Sequence, residues 1–379
     1  MIVKPFITFF IKIIFFLIVP QLKLSAQTQR KIEFPDIAGY YTLISDLHQH
    51  TVFSDGCVWP DIRVKEAIFD GLDVISLTEH LEYQPHNKDI PHPDRNRSYQ
   101  LAKEFAKNEE IIIIHGAEIT RDLPPGHCNA LFINDANKLV QENYIDTFRE
   151  AKKQGAFIFW NHPNWIGQNK QGITQLSPIH EALIKEGLLH GVEVTNENSF
   201  ADRALTIANE QGLTILGNSD IHELIDWLFD IPGGGHRPVT LVFAKEHSEM
   251  GVKDALFDGR TVAWYQNSLI GQEKYLIPLI KSSLIVDTAY YQMHGNGKTQ
   301  IANVVISNQS DATYLVNNES NFSFYNTTNI VQLNPQTITT LSIKTIDLLS
   351  SFDLKFEILN AIYAKNKHPK IRLEILIEP

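Results

Sequence analysis

The chain has 379 residues, of which 43% are hydrophobic, and its formal net charge is −11. This length suggests two domains, and the negative charge argues against nucleic acids and anionic membranes as partners. Two cysteines, Cys57 and Cys128, are too few for a disulfide scaffold, so they either pair with each other or remain free thiols.

The first 26 residues are typical of a removable signal peptide. Lys4 precedes an almost wholly apolar run at 6–20, and the small residues Ser25 and Ala26 suit cleavage. The alternative is an uncleaved membrane anchor, although Lys12 interrupts the run and a stable span needs about 20 apolar residues. Both alternatives place the body of the protein outside the cytoplasm, periplasmic or secreted. With the three lysines of residues 1–26 removed, the net charge of −11 becomes −14, and no stable membrane insertion is expected.

After a linker at 27–40, short β-like runs alternate with helical stretches from about residue 41 to 266. Such alternation predicts parallel strands joined by right-handed helical crossovers, in a layered α/β fold or a barrel. Seven units over roughly 230 residues match the size of a (β/α) barrel, to which we assign residues 41–283. The predicted strands are 42–48, 73–78, 111–119, 156–160, 191–195, 213–217 and 239–243, and the predicted helices are 61–69, 98–108, 144–154, 178–186 and 201–211.

The sequence changes character from residue 284 onward. Asn, Ser, Thr, Val and Ile dominate, and short apolar runs alternate with polar turns. This pattern predicts a small β-sandwich at 284–379, with strands at 299–307, 313–316, 322–325, 338–344, 352–358 and 371–377.

The first predicted strand ends in a pair of histidines. Residues i and i+2 of a strand point to the same face, so His48 and His50 share a side, and Asp55 follows five residues later. Two imidazoles and a carboxylate suit a divalent transition metal. Asp46, on the same face, either orients a histidine or caps a turn.

Other predicted strands also end in imidazoles or carboxylates. Because functional groups of a barrel collect at the C-terminal ends of its strands, these residues are expected at one rim. They are Glu79, His80, Glu118, His127, His162, Asp220 and His222.

Taken in order, these segments resemble the PHP family, named for polymerase and histidinol phosphatase, over residues 43–266. The resemblance implies a distorted (β/α)7 barrel that hydrolyses phosphoesters with two to three divalent ions. It also implies one ion held by His48, His50, Glu118 and Asp220, a second shared by Glu118 with His127 and His162, and a third held by Asp55, His80 and His222.

A cluster of imidazoles and carboxylates suits phosphoester hydrolysis, because paired divalent ions lower the pKa of a shared water and hold a phosphoryl centre in place. Manganese, zinc and iron all suit the ligands. Glu118, His162 and Asp220 are the predicted catalytic residues. The sequence between Glu118 and His127, Glu-Ile-Thr-Arg before Pro-Pro-Gly-His, together with the β domain, resembles a phosphodiesterase branch of the family. Phosphomonoester hydrolysis, hydrolysis at an amide or lactone carbon, and a non-catalytic metal-binding surface protein are the alternatives.

Phosphoester transition states favour a nearby cation, and two residues are candidates for substrate binding. Arg121 follows Glu118 on the predicted rim, and His236 follows the glycine run 233–235. A structural role is the alternative for each. Trp165, just past His162, is a candidate wall for an aryl or alkyl ester group. The expected partner is a small phosphoester, not a nucleic acid, and the oligomeric state is not predicted.

Overall fold

The computed structural model describes residues 31–291 and 300–377. The predicted signal peptide lies outside these residues. Among the helices of the described part, none combines the length and the apolarity needed to cross a membrane.

The first domain combines one large mixed sheet with surrounding helices. Its strands are β1 Tyr41–Asp46, β2 Val74–Leu77, β3 Ile112–Ile119, β4 Cys128–Leu131, β5 Phe157–Trp160, β6 Gly191–Asn196, β7 Ser199–Phe200, β8 Thr214–Asn218, β9 Val239–Ala244, β10 Thr261–Tyr265 and β11 Ser268–Gly271. Its helices are α1 Pro60–Phe69, α2 Arg97–Phe105, α3 Tyr144–Lys153, α4 Pro178–Lys185, α5 Asp202–Gln211, α6 Ile225–Phe229, α7 Glu249–Phe257 and α8 Glu273–Ser283.

The sheet is curled, and it is not parallel throughout. Strands β1, β2 and β3 run parallel, as do β5, β6 and β8, but β4 is antiparallel to both β3 and β5, and β9 is antiparallel to β1. The prediction of parallel strands was therefore wrong at β9, and β4 is an antiparallel strand that the sequence analysis did not predict. The β3–β4 connection spans only residues 120–127, whereas a parallel crossover needs about a dozen residues or more.

Hydrogen bonds bring the end of β8 back to the end of β1. The backbone N–H of Asp220 donates to the carbonyl of His48, and that of His50 donates to Ile221. Lower down, the Thr240 hydroxyl exchanges hydrogen bonds with the backbone of Gly217, which links β9 to β8. The curled sheet therefore gathers the loops that follow its strands at one rim.

Local capping fixes where several helices begin and end. Ser177 and His180 form a reciprocal capping box at the start of α4, and Asn143 caps α3 by accepting from the N–H of Ile145. Gly212 ends α5 at a φ of 69°, a left-handed conformation that favours glycine.

The second domain is all β, as predicted. Two four-stranded antiparallel sheets contain most of its strands, and β18 alternates buried residues (Phe352, Leu354, Phe356, Ile358) with more exposed ones, as expected for a sandwich. The strands are β12 Leu284–Tyr291, β13 Gln300–Asn308, β14 Tyr314–Asn318, β15 Ser323–Phe324, β16 Ile330–Leu333, β17 Ile338–Thr345, β18 Ser351–Ile358, β19 Ala361–Ile362 and β20 Lys370–Leu376.

The two domains share a continuous apolar core. Trp264 and Leu276 of the first domain belong to the same buried cluster as Tyr314 and Phe356 of the second. Strand β19 leaves the sandwich and pairs in parallel with β11, so that backbone hydrogen bonds reinforce the apolar contact. The second domain is thus packed firmly against the first.

Candidate metal centre

The curled sheet brings all nine predicted metal ligands together at its rim. His48, His50 and Glu118 are fully buried there, whereas the side chains of His222 and Asp55 are 25% and 21% exposed. The centre therefore has a closed interior and an open side.

His48 and His50 face each other across two carboxylates. Their Nε2 atoms lie 3.1 Å apart, and Oδ1 of Asp220 lies 3.0 and 3.1 Å from them. Oε2 of Glu118 lies 3.3 and 3.2 Å from the same two nitrogens. Two imidazole nitrogens and two carboxylate oxygens thus converge on one point.

A second group forms around Asp55, on the more exposed side. Its carboxylate lies 3.2 Å from Nε2 of His222 and 3.4 Å from Nε2 of His80. The ring of His50 stacks on those of His80 and His222, at centroid distances of 4.5 and 4.3 Å. His50 therefore borders both this group and the one formed with His48.

Glu118 is the central carboxylate of the site. Its Oε1 lies 2.7 Å from Nδ1 of His127 and 3.8 Å from Nε2 of His162, while Oε2 lies 3.2 Å from Nδ1 of His80. A single carboxylate that reaches this many imidazoles has the geometry of a bridging ligand.

The buried atoms of the centre call for a cation. Oε1 of Glu118 and Oδ1 of Asp55 are buried without a hydrogen bond, although histidine nitrogens lie 2.7 and 3.2 Å away. His48 uses Nδ1 to donate to Glu193, which turns its Nε2 lone pair toward the carboxylates. Divalent ions among these atoms would satisfy both the lone pair and the oxygens.

The imidazoles and carboxylates of the site stabilise each other in their charged forms. Burial opposes protonation of His50, yet hydrogen bonds and charge from Asp220 and Glu118 raise its pKa to about 10. Burial likewise opposes ionisation of Glu118, but the neighbouring histidines hold its pKa well below the usual range. The carboxylates are therefore strongly stabilised as anions by positive charge, which is the condition that bound metal ions also provide.

Within the described residues, three groups of side chains have ligand atoms close enough to share an ion. Each group keeps its ligand atoms within 4.8 Å of one another. The groups are His48, His50 and Asp220; His80, Glu118 and His127; and His50, Asp55, His80 and His222. They use eight of the nine predicted ligands, and His162 lies at their edge, 3.9 Å from Asp220. The donors fit divalent metal ions, and their grouping differs in part from the one that the resemblance implied.

Glu193 is a functional residue that the sequence analysis missed. This fully buried carboxylate accepts from Nδ1 of His48 at 2.9 Å and from the backbone N–H of His162 at 2.8 Å. The side-chain amides of Asn196 and Asn218 donate to it as well. It therefore orients two predicted ligands at once.

Two buried arginines, also missed, hold the segments that carry the ligands. Arg63 donates to the backbone carbonyls of His50 and His222 at 2.9 and 2.8 Å. Arg237 pairs with Asp46 and Asp70. The contacts of Arg63 with His222 and of Arg237 with Asp46 and Asp70 join segments more than 150 positions apart, so no local pattern in the sequence predicts them.

Asp46 neither orients a histidine nor caps a turn. Its carboxylate accepts from both the backbone N–H and the hydroxyl of Ser219, at 3.1 and 2.6 Å, and it pairs with Arg237. It thereby fixes the segment that presents the adjacent Asp220.

The loop that carries Asp55 is fixed by another carboxylate. Glu79 accepts from the hydroxyls of Thr51 and Ser54, both at 2.6 Å. Gly56 lies so close to His50 that a Cβ there would come within 2.7 Å of its backbone. Only glycine fits this turn without a shift of the backbone.

Two predicted ligands have unusual backbone conformations. His162 and Asp220 have φ values of 27° and 51°, a region that side chains other than glycine rarely adopt. Such strain is commonly found at functional sites, where the surrounding structure enforces it.

The two predicted substrate-binding residues, Arg121 and His236, contact residues other than the predicted metal ligands. Arg121 pairs with Glu82 at 2.9 Å and donates to the carbonyl of Gln141. His236 stacks on Trp264 at a centroid distance of 3.6 Å and donates from Nδ1 to the carbonyl of Arg237. None of these partners is a predicted metal ligand, so substrate binding by Arg121 and His236 stays a prediction. Cys57 and Cys128 are free thiols.

Comparison with known proteins identifies both domains. The family model for an Ig-like domain matches residues 285–374. A two-domain protein from Bacteroides vulgatus ATCC 8482, which contains a predicted PHP-like metal-dependent phosphoesterase, matches with a TM-score of 0.83 and 40% identity, over 93% of this chain and 100% of that chain. No curated protein matches the chain.

Two further solved structures resemble about half of the chain. One is a candidate metal-dependent phosphoesterase from Bifidobacterium adolescentis ATCC 15703, with a TM-score of 0.37 and 20% identity over 48% of this chain and 88% of that one. The other is a sulfate-bound amidohydrolase from Chromobacterium violaceum, with a TM-score of 0.35 and 15% identity over 47% of this chain and 87% of that one. Likenesses at this level do not inform function.

The similarity to the Bacteroides protein extends through both domains, and the first domain has a rim of imidazoles and carboxylates suited to divalent ions. The chain belongs to the PHP-like metal-dependent phosphoesterases, as a two-domain member with a C-terminal Ig-like domain.

Proposed function

We propose that this protein is an exported phosphodiesterase that uses two to three divalent ions, manganese, zinc or iron, at the rim of its first domain. The observation that carries the preference for diesters is the acidic border of the metal centre. Exposed Glu197 lies within electrostatic range of Asp220 and His222, and Glu82 lies within range of Glu118.

The arginines near this border face its own carboxylates, since the charge of Glu82 acts on both Arg95 and Arg121. Arg121, the predicted cation, is already paired with Glu82. Glu197 lies within range of the charge of Asp220, and Glu82 lies within range of the charge of Glu118, so these carboxylates add negative charge to the border. A phosphomonoester carries close to two negative charges near pH 7, because its second pKa is about 6, whereas a diester carries one. The diester is therefore the anion that the border repels less.

Hydrolysis of a diester adds water across one P–O bond and yields a monoester and an alcohol. Divalent ions bound here would activate the water and neutralise the charge that develops on phosphate oxygens. The side chains of this protein set the geometry: Glu118 spans the groups of imidazoles, and Glu193 keeps the proton of His48 on Nδ1. The backbone N–H bonds between β1 and the Asp220 segment hold both ligand loops in register.

Export is supported by the first 26 residues, with their early lysine, apolar run and small residues. An exported phosphodiesterase would release phosphate compounds from extracellular or periplasmic esters. Fractionation of cells that express the full chain tests this part, because an exported protein is expected in the periplasm or medium with residue 27 near its N-terminus. Intact protein in the cytoplasm would contradict export.

The enzymatic test uses protein from residue 27 onward, stripped of metal and reloaded with manganese, zinc or iron. Release of nitrophenol is followed from bis(p-nitrophenyl) phosphate and from p-nitrophenyl phosphate, with His162→Ala as the matched control. We expect metal-dependent release that is faster with the diester and lost in His162→Ala. Faster release from the monoester would contradict the diester preference, and no release with any metal would favour a carbon-centred hydrolase or a binding protein.

A further inference from the structure

Two exposed aromatic side chains stand at the open side of the metal centre. The ring of Trp165 contacts those of His127 and His162 at centroid distances of 5.7 and 5.3 Å, and the ring of Tyr83 contacts that of His80 at 5.8 Å. Trp165 is 47% exposed and Tyr83 is 53% exposed. Within residues 31–291 and 300–377, these are the exposed aromatic residues whose rings contact predicted metal ligands.

The backbone holds Trp165 in place although half of its surface faces solvent. Its N–H donates to the carbonyl of His162 at 2.8 Å, and its own carbonyl accepts from the N–H groups of Gln168 and Asn169 at 3.2 and 2.8 Å. The side chain of Gln168 donates in turn to the carbonyl of Arg121 at 2.9 Å. The loop around Trp165 is thus tied to the segment that follows Glu118.

The indole of Trp165 lies directly on Gly167. A Cβ at position 167 would come within 2.4, 2.6 and 2.8 Å of three atoms of the ring. The absence of a side chain at Gly167 therefore sets the position of the indole beside the two histidines. A fixed, half-exposed ring can bind another flat group at a low cost in conformational entropy.

Tyr83 lies beside a different predicted ligand, His80. The side-chain amide of Gln84 donates to the carbonyl of His80, which ties the residues around Tyr83 together. The rings of His80 and His127 contact each other at 5.4 Å. Tyr83 and Trp165 therefore lie beside neighbouring ligands, one at each.

We propose that Trp165 and Tyr83 form a subsite for an aromatic group carried by the phosphoester, so that aryl or heteroaryl phosphodiesters are the preferred substrate class. This inference rests on the proposed function. A phosphate held by divalent ions at these ligands would have its organic groups near the two rings, where offset or edge-to-face stacking would stabilise an aromatic group more than an alkyl group of similar size. The acidic border does not oppose this binding, because the aromatic group is uncharged.

The test compares diesters that share a p-nitrophenolate leaving group and differ in the other ester group, which is methyl, cyclohexyl or phenyl. The quantity of interest is the ratio of kcat/KM for the phenyl diester to that for the methyl and cyclohexyl diesters. We expect the wild type to prefer phenyl by about tenfold or more, and Trp165→Ala to abolish most of this preference. Trp165→Phe should retain much of it, and Tyr83→Leu should reduce it by a smaller factor.

Gly167→Ala moves the indole without removing it or any metal ligand. The new methyl group would displace the ring of Trp165, so we expect the phenyl preference to fall while hydrolysis of the methyl diester continues. Tyr325→Ala is the matched control, because Tyr325 is 60% exposed in the Ig-like domain, and its ratio should equal that of the wild type.

The outcomes separate this inference from the proposed function. If the wild type hydrolyses no diester with any metal, the proposed function fails. If it hydrolyses the methyl and phenyl diesters equally well, or if Trp165→Ala and Gly167→Ala leave the ratio unchanged, the aromatic subsite is refuted while the phosphodiesterase assignment stands.

Discussion

The two domains of this protein bury different kinds of side chains. In the first domain, charged side chains such as those of Glu118, Glu193, Arg63 and Arg237 are fully buried near the predicted metal ligands. In residues 284–291 and 300–377 of the second domain, the buried polar residues are uncharged, as Asn308 and Ser310 illustrate. Because a buried charge is costly unless it is paired, the first domain gives up stability for a preorganised site, whereas the second adds an apolar core.

This difference predicts that single substitutions in the first domain affect activity and metal binding far more than comparable ones in the second. Removing the carboxylate of Glu118, the predicted bridging ligand, should have the largest effect.

Glu118→Gln keeps the size of the side chain but removes the charge that spans the imidazoles. We expect kcat/KM for bis(p-nitrophenyl) phosphate to fall by at least about 10³-fold, because the remaining donors no longer hold the ions together. Glu374→Gln, at an exposed position of β20, is the control and should behave like the wild type. Activity of Glu118→Gln within tenfold of the wild type would show that Glu118 is not a bridging ligand.

Arg237→Leu tests the buried pairing itself. The substitution leaves Asp46 buried without its cation, so the free energy of unfolding should fall by about 3–5 kcal/mol in denaturant titrations. Arg372→Leu breaks the exposed pair with Asp353 in the Ig-like domain and should leave the free energy of unfolding unchanged. Equal effects of the two substitutions would contradict the contrast between the domains.

Glu193→Gln tests whether a residue that touches no substrate sets the metal site. The amide is a weaker acceptor for Nδ1 of His48, so the affinity for the metal ions should fall by about 10–100-fold. Competition with a metal-sensitive dye measures this affinity directly, and near-ultraviolet circular dichroism checks that the fold persists. Unchanged metal affinity would assign Glu193 a purely structural role.

His115 offers a smaller, pH-dependent test. It is buried against the ring of Tyr99, and burial lowers its pKa to about 4. In the unfolded chain the pKa of His115 is about 6.5, so the unfolded chain takes up a proton as the pH falls below neutral. The folded state does not take up this proton, and the stability of the protein therefore decreases on acidification.

Between pH 7 and pH 5, this uptake should cost the wild type about 2 kcal/mol more than His115→Phe, which keeps the stacked ring and cannot titrate. Urea titrations at the two pH values give the difference. If both proteins lose the same stability, His115 does not remain neutral in the folded state.

Sequence patterns were sufficient to select candidate ligands that the fold brings to one rim, and to predict the types of most elements. His48, Glu118 and Asp220 could be predicted because each follows an apolar run with a residue type that metals prefer, and the strands of the second domain could be predicted from alternation. Local patterns carry no information on strand direction, which explains the error at β9, and the four-residue strand β4 was not predicted at all.

The residues that support the ligands could not be predicted for a related reason. Glu193, Arg63 and Arg237 acquire their roles only through burial against segments distant in the chain, and as single charged residues they resemble ordinary surface positions. Asp46 shows the same limit, because its partners Ser219 and Arg237 lie more than 170 positions away.

Calorimetric titration of the metal-stripped protein with zinc or manganese tests the central claim most directly. We predict that the wild type binds two to three equivalents and that Glu118→Gln binds fewer, or binds them far more weakly, although it remains folded. Binding of less than one equivalent by the wild type, or an unchanged isotherm for Glu118→Gln, would contradict the assignment of these nine side chains as one metal centre.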